Sequence, residues 1–402
     1  MWSRSFLLLD KTMFELITWQ NVLTTHQSYT YQGLDRYLEG YNLLHIYFKS
    51  VDTLRDTPWP QLASSKLNTL HIISYRFLRS ILIIYRNRSA IHIFASPFES
   101  PIIVLLIFLA NLIGIRYYLI SEPYTTLKYG YHSRKPKTID SIKHYIRPYL
   151  YKIYAIAVIS RVAGIFTISS RSYHQYLHLG LPKKKLIPFG YFFYQNPSIY
   201  NPSDNFTTQN HKTHSNRSSP HFRIIYVGSS ALRKGISQFI SILHPLLPKL
   251  QLDLYGDEGL TDYSNATNVT YAGQIPFGDA SKIIANYDFL ALPSLYDGWG
   301  FVVSESLAAS TPVIVSKECG SSVLISNSLA GYVFDHSNPN ALLQWLNVIL
   351  TNPHQYEELK CGVKDMNNSI TSDAAGCYMA EFLLNVRPKS SATLRLLSLL
   401  KP

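Results

Sequence analysis

The sequence predicts an α/β protein built from two doubly wound domains of parallel strands. Three observations carry this. The chain has 402 residues, enough for two domains of ordinary size, each with its own core. Hydrophobic residues make up 47% of it and charged residues 15%, a balance that suits large parallel sheets buried on both faces. Short apolar runs alternate with helical stretches along both halves, and one low-complexity stretch interrupts them. At 196–220, Asn, Ser, Thr, Pro and His replace almost every apolar residue. The expected division is a first domain at 1–195, a polar linker at 196–221, a second domain at 222–374 and a C-terminal segment at 375–402.

In the first domain, residues 14–19 (FELITW) read as a strand. A polar loop with His26 and Gln27 follows, then Gly33 leading into a helix. That is the first strand-to-helix turn of a doubly wound sheet, where ligands gather at the carboxyl ends of strands. No GxGxxG is present, so no dinucleotide fingerprint is read. Further strands are expected at 41–48, 91–95, 117–121 and 164–169, with helices at 67–85 and from Pro101. The 67–85 helix interleaves Arg76, Arg79 and Arg86 with apolar residues. It either packs on the core with a solvated basic edge or rests on a membrane surface.

Charge is unevenly spread. The net charge is +12, and residues 1–200 hold 23 Lys/Arg against 9 Asp/Glu, a net of +14. The excess is either a solvating surface or an attraction to an anionic membrane face or a phosphate-bearing acceptor. The three cysteines, Cys319, Cys361 and Cys377, form no CxxC and no ligand-like spacing with histidine. Free thiols in a reducing compartment and no metal centre are expected. Asp10 and Lys11 interrupt the N-terminal FLLL run well short of a signal peptide. The longest apolar run, 102–115, is too short to span a bilayer, which needs about 20 residues, and is read as a buried helix. These features place the chain in the cytoplasm, with the inner face of the membrane as a candidate peripheral contact and no nucleic-acid partner.

The most informative stretch is ALPSLYDGWGFVVSESLAASTPVIVS, residues 291–316. It reads as the end of a buried strand (289–292), a turn at 293–300, a helix at 302–309 and a second strand at 313–316. Asp297 lies in the glycine-flanked turn, and Glu305, seven residues intervening, falls on the first helical turn. A helix N-terminus presents unpaired N–H groups and partial positive charge, which suits a diphosphate. The carboxylates then accept hydrogen bonds from neutral hydroxyls, so the pattern fits a sugar nucleotide.

This stretch resembles the signature of the family-4 glycosyltransferases, whose GT-B architecture sets two Rossmann-like doubly wound domains facing a cleft. Glu305 matches the second glutamate of the family's E-x7-E motif, which implies ribose binding. Asp297 stands one methylene short where the first glutamate holds the transferred sugar. Gly298, Trp299, Gly300 and Phe301 are implied to offer backbone N–H groups to phosphate and sugar. The segment FRIIYVGSSALRKG, at 222–235, resembles the family's G-R-x4-K-G loop. Gly228 takes the glycine position and Lys234 the lysine position, facing the donor diphosphate. The family's arginine is replaced by Ser229. Arg233 is then either an inward-turned substitute for that guanidinium or a solvated charge at a helix start.

In the first domain the resemblance holds in outline. The "HQ" at His26 is similar to that of bacterial members that build surface polysaccharides, which makes His26 a candidate near the reaction. Gly33 is read either as a close approach to the donor diphosphate or as a plain turn glycine. Family members commonly carry a histidine after the strand at 117–121. Ser121 and Glu122 stand there, and Glu122 either orients or deprotonates the acceptor hydroxyl or caps the following turn. The basic segment 128–137 reads as a loop facing acceptor or membrane, or as a solvated one. The segment 375–402 is implied to cross back to the first domain.

Together these imply a glycosyltransferase that moves a sugar from a nucleotide-sugar donor to a glycan or lipid-linked acceptor. Retention of configuration and a role in cell-surface polysaccharide synthesis come with the resemblance. No cofactor or metal is implied, because Lys234, Arg233 and the helix terminus carry the leaving-group charge. The departures at Ser229, Asp297 and Ser121/Glu122 support a second reading, an inactive GT-B-shaped binding or scaffold protein. An epimerase or phosphorylase on the same fold is a third.

Overall fold

The computed structural model describes residues 13–49, 67–72, 75–97, 100–125, 138–159, 161–193, 222–276, 278–367, 369–385 and 391–402. The expected linker at 196–221 and the basic segment at 128–137 lie outside these residues. The described chain divides into two compact units. The first takes the residues up to Tyr191 and those from Asp373 to Pro402; the second runs from Phe192 to Ser372.

The first unit is a seven-stranded parallel sheet. Its strands are β1 (Leu16–Val22), β2 (Leu43–Lys49), β3 (Thr69–His71), β4 (Ile91–Ala95), β5 (Tyr117–Ser121), β6 (Val162–Ile168) and β7 (Leu186–Phe189), in the order β3-β2-β1-β4-β5-β6-β7. Helices α1 (Thr25–Tyr37), α2 (Arg76–Arg86), α3 (Pro101–Ile113), α4 (Thr138–Ile159) and α5 (Ser169–His178) connect them. Trp19 on β1 is fully buried, stacks on Phe48 and Phe94 of the neighbouring strands, and donates its indole N–H to His92 Nδ1 at 3.0 Å. A buried indole needs such a partner, and the run of aromatic and aliphatic side chains on β1, β2 and β4 is what buries it.

Two sequence expectations are corrected here. The helix expected at 67–85 is instead the short edge strand β3 followed by α2. Three strand residues show no periodicity of their own; what makes them a strand is pairing with β2, as in His45↔Thr69. The apolar run at 102–115 forms α3, but only one side is buried, through Ile103, Leu106, Ile107 and Ala110.

The second unit is a six-stranded parallel sheet of β8 (Phe222–Val227), β9 (Leu250–Tyr255), β10 (Val269–Gly273), β11 (Phe289–Leu292), β12 (Val313–Ser316) and β13 (Gly331–Phe334), ordered β10-β9-β8-β11-β12-β13. Its helices are α6 (Ile236–Leu243), α7 (Ala280–Ile284), α8 (Phe301–Ala308), α9 (Ser322–Ser326), α10 (Pro339–Thr351) and α11 (Pro353–Met366). Ile224, Leu252, Ala291 and Ile314, one from each central strand, sit in its core.

After Ser372 the chain contributes α12 (Ser372–Leu383) and α13 (Ser391–Leu399) to the first unit. Gly376 makes this possible: a Cβ there would lie 2.1 Å from the carbonyl carbon of Gly33. Gly33 is therefore in the interior of α1, under α12, and does not lead into the helix from a turn. The helix starts earlier because Gln27 Oε1 accepts the Thr24 backbone N–H at 3.1 Å, capping it ahead of His26.

Candidate functional site

In both sheets the strand order reverses direction at one place. In the second unit that place is between β8 and β11, and in open parallel sheets the loops leaving the carboxyl ends of such strands bind ligands. The loop after β8 carries Gly228, Arg233 and Lys234; the loop after β11 carries Asp297 to Gly300.

The two loops are locked together by backbone. The Arg233 carbonyl accepts the Leu295 N–H at 2.7 Å, and Gly235 comes so near Pro293 that a Cβ would sit 2.3 Å from its carbonyl oxygen. Gly235 also has φ +64°, a conformation open to glycine at little cost. The β8 loop is held from its other side by Asp257, which accepts the Ser230 N–H at 2.9 Å and the Ser230 hydroxyl at 2.7 Å. The β11 loop is stitched to the segment after β12: Gly320 N–H donates to Asp297 O and Ser321 N–H to Trp299 O.

This framework brings three charges together. Asp297 Oδ2 accepts from Lys234 Nζ at 2.7 Å and from Arg233 Nη1 at 3.2 Å. Arg233 and Asp297 are buried, so the solvated reading of Arg233 does not hold. Burial by itself would raise the Asp297 carboxyl; Lys234 and Arg233 outweigh it and hold its pKa down to about 2. The cluster keeps one net positive charge. Both cations use Oδ2, and no described group donates to Oδ1.

Gly300, φ +86°, ends the turn and starts α8; a side chain there would strike Leu292 at 2.5 Å. The Gly298 and Gly300 N–H groups have no partner among the described residues. Trp299 turns into the unit, its ring edge-on to Phe192 at 5.8 Å, and Phe301 is half-buried against Phe193. Glu305 is the fifth residue of α8, so it lies on the second turn and not on the first, because the helix begins directly after Gly300. Its side chain is half-buried and takes no hydrogen bond from the described residues. Burial pushes its carboxyl up to about 8. Cys319, opposite Asp297, is a free thiol, buried and pushed up to about 12 by that burial.

In the first unit the reversal lies between β1 and β4. His26 is on the first turn of α1, half-buried, with Nε2 3.0 Å from Thr24 Oγ1 and its ring 4.3 Å from that of Tyr191. Glu122 leaves β5, one strand beyond β4. The β5 end is bolted to α5: Ser172 Oγ donates to Ser121 O, Tyr176 OH to Ser121 Oγ, and the Gln175 amide accepts the Tyr124 N–H at Oε1 and donates from Nε2 to the Tyr124 carbonyl. Glu122 is thus on a fixed loop, half-buried. Sequence reasoning missed Asp257, Gln175 and Tyr176, whose partners are brought to them only by the fold. It also missed Ser169, held at φ +78° with a buried hydroxyl that no described group bonds. Among the described residues no cluster of His, Cys, Asp and Glu is arranged to hold a metal.

Residues 207–365 match the family model described as glycosyl transferases group 1. A protein of Methanocaldococcus jannaschii described as an uncharacterized glycosyltransferase is 24% identical over 143 residues, 34% of this chain. The chain spans 39% of that relative's length. Among solved structures, a sucrose-phosphate synthase from Thermosynechococcus elongatus superposes with a TM-score of 0.61 at 16% identity, covering 92% of this chain and 98% of that one. Anabaena HepE, solved in complex with UDP and glucose, gives 0.62 at 13% identity over 93% of this chain and 100% of that one. The fold is GT-B. Its two Rossmann-like units are the two parallel sheets described above, and the matched glycosyl transferase region takes in the charged cluster, the glycine turn and Glu305.

Proposed function

We propose that the protein is a glycosyltransferase that takes a sugar from a nucleotide-sugar donor and passes it to a glycan or lipid-linked acceptor. The reading includes retention of configuration and a cytoplasmic place in cell-surface polysaccharide synthesis. The observation that carries it is the arrangement after β8 and β11. A buried cluster with one net positive charge lies at the strand-order reversal, in the same unit as glycine N–H groups and a carboxyl, Glu305, that no described residue bonds. A departing nucleoside diphosphate is an anion, and Lys234, Arg233 and the α8 terminus supply the opposite charge. Glu305 is suited to ribose hydroxyls: a desolvated carboxyl without partners gains most from neutral donors and acceptors. Asp297, whose Oδ1 no described group bonds, is suited to a hydroxyl of the transferred sugar. His26 and Glu122 are the polar groups proposed to act on the acceptor side, and no metal is invoked.

The test is a thermal-shift series with UDP, GDP, ADP and dTDP on the wild type and on Glu305→Ala. A ligand that binds only the folded state stabilises it by about 2.7 kcal/mol at a hundred times Kd. One nucleotide should raise the melting temperature of the wild type and do so far less in the variant. UDP goes first, since HepE was solved with it. An equal shift in both proteins would remove Glu305 from the site.

One observation favours a second reading, a GT-B-shaped binding protein without activity. Asp297 occupies both cations that would meet the diphosphate. Folded protein that neither shifts with any of the four nucleotides nor hydrolyses a nucleotide sugar would support it.

A further inference from the structure

Exposed apolar side chains are concentrated in one part of the molecule. Among the described residues twenty-three large hydrophobic side chains face solvent; fifteen lie on α2, α3 and α4, Tyr75 directly precedes α2, and two, Leu329 and Val348, belong to the second unit. Neighbouring elements cannot account for this, because α2 packs beside α3 and α3 beside α4 and the residues remain exposed. The inward side of α3 is buried in the core, while Leu105, Phe108 and Leu112 point out at 50–69% exposure. On α4, Ile142, Tyr145, Ile146, Tyr149, Ile153 and Ile156 recur at helical spacing, each at least half exposed. A surface helix of a water-soluble domain turns such a stripe toward its core; α4 turns it away. Patches of this extent mark a binding surface.

The charges say what covers it. In sequence α2 and α4 hold six Lys/Arg against one Asp and α3 carries no charge; within the span of the α4 stripe the described charges are both basic, the half-buried Arg147 and the exposed Lys152. A second copy meeting this face by two-fold symmetry would bring the same cations against themselves. An anionic bilayer brings the opposite charge, hydrocarbon for the isoleucines, leucines and phenylalanine, and an interface where tyrosines settle with ring buried and hydroxyl wet. No described helix is long and apolar enough to cross a membrane, so the contact is with its surface. We infer that the outer face of α2, α3 and α4 seats the first unit on the headgroup–acyl boundary of an anionic membrane. This does not rest on the reading of the donor site.

The experiment is flotation of the full chain with two kinds of vesicle: phosphatidylcholine alone, and equal parts phosphatidylcholine and phosphatidylglycerol. The wild type should float with the anionic vesicles and less with the neutral ones, the difference shrinking at high salt. The triple variant Phe108→Ser, Leu112→Ser, Ile153→Ser removes apolar area only at exposed positions. It should keep the wild-type melting temperature and lose vesicle binding by roughly tenfold or more. Arg147→Gln with Lys152→Gln should lose the anionic preference and retain neutral binding. Wild type that stays with the unbound fraction for both vesicles overturns the inference. So does a triple variant that floats like the wild type, or self-association in sedimentation, abolished by the triple variant, without lipid binding.

Discussion

Asp297 and Lys234 are 63 residues apart in sequence and joined at 2.7 Å, Lys234 Nζ donating to the same carboxylate oxygen that Arg233 reaches. Removing one partner of a buried ion pair leaves uncompensated charge, which costs roughly 3–5 kcal/mol. Asp297→Asn leaves two cations facing each other and should lower the melting temperature strongly without ligand. Added nucleoside diphosphate should recover more of the loss in the variant than it adds to the wild type, since the anion takes the place of the missing carboxylate. The pH sign is fixed by the depressed pKa. The stabilisation from Asp297 is complete above the ordinary aspartate range and is lost as pH falls through about 2. Acid melts of the wild type and of Asp297→Asn should therefore start to approach each other below about pH 4 and meet near pH 2; melts that stay parallel over that range would remove the pair from the stability argument.

Glu305 has the opposite linkage. Its folded pKa, about 8, is above that of an unfolded glutamate, so the folded state holds the extra proton between the two values. Stability from this group is fullest below the unfolded pKa and declines as pH rises toward 8. Ligand-free wild type should lose melting temperature over that range relative to Glu305→Gln, which cannot ionise. A nucleotide that engages the ribose site should flatten the wild-type slope. Identical slopes for the two proteins would place the Glu305 carboxyl in water.

Much of the second unit was legible because its signals are local. The strand at 289–292 is a short apolar run stopped by Pro293, and the turn ends at Gly300, whose φ of +86° favours glycine. The side-chain geometry was not legible. Nothing in the spacing of Arg233, Lys234 and Asp297 says that one carboxylate oxygen takes both cations, because that depends on how two loops from different strands are held. Glu305 was placed a turn too early, since one residue of uncertainty in a helix start is enough to do so. Gly33 was read as leading into a helix, either near the donor diphosphate or as a plain turn glycine, though its neighbour Gly376 lies 343 residues away and the contact exists only in the fold. The outward apolar stripe of α4 was also beyond reach: periodicity identifies a stripe, and only the packing shows which way it faces.

Gly235 tests how firmly the β8 and β11 loops are coupled. Alanine there meets two costs, the left-handed backbone and the Pro293 carbonyl oxygen 2.3 Å from the new methyl. Backbone cannot step aside as a flexible side chain can, so Gly235→Ala should cost about 2–4 kcal/mol in total. Gly180, φ +95° with nothing within 4 Å, carries only the backbone cost, and Gly180→Ala should lose about 1 kcal/mol. The difference between the two, read from denaturant unfolding, is the steric part. Nucleotide affinity should fall with Gly235→Ala and not with Gly180→Ala, because only the former displaces Arg233 and Lys234.

Gly376 sets the docking of the C-terminal helices in the same way. Besides the carbonyl carbon of Gly33, a Cβ would lie 2.3 Å from Leu34 N, so alanine must lift α12 off α1. Other anchors include Tyr378, stacked on Phe189 and donating to Pro188 O at 2.9 Å, Tyr118 OH donating to Phe382 O at 3.3 Å, and an exposed ion pair between Asp373 and Arg36. Overpacking of this kind costs about 1–3 kcal/mol, while an exposed ion pair contributes less than about 1 kcal/mol. Gly376→Ala should therefore speed proteolysis within 373–402, and Asp373→Asn should barely change it. The nucleotide-induced shift, which belongs to the second unit, should survive both substitutions. Equal protection of the wild type and Gly376→Ala would mean that the two helices do not hold this segment in place by contact at Gly33.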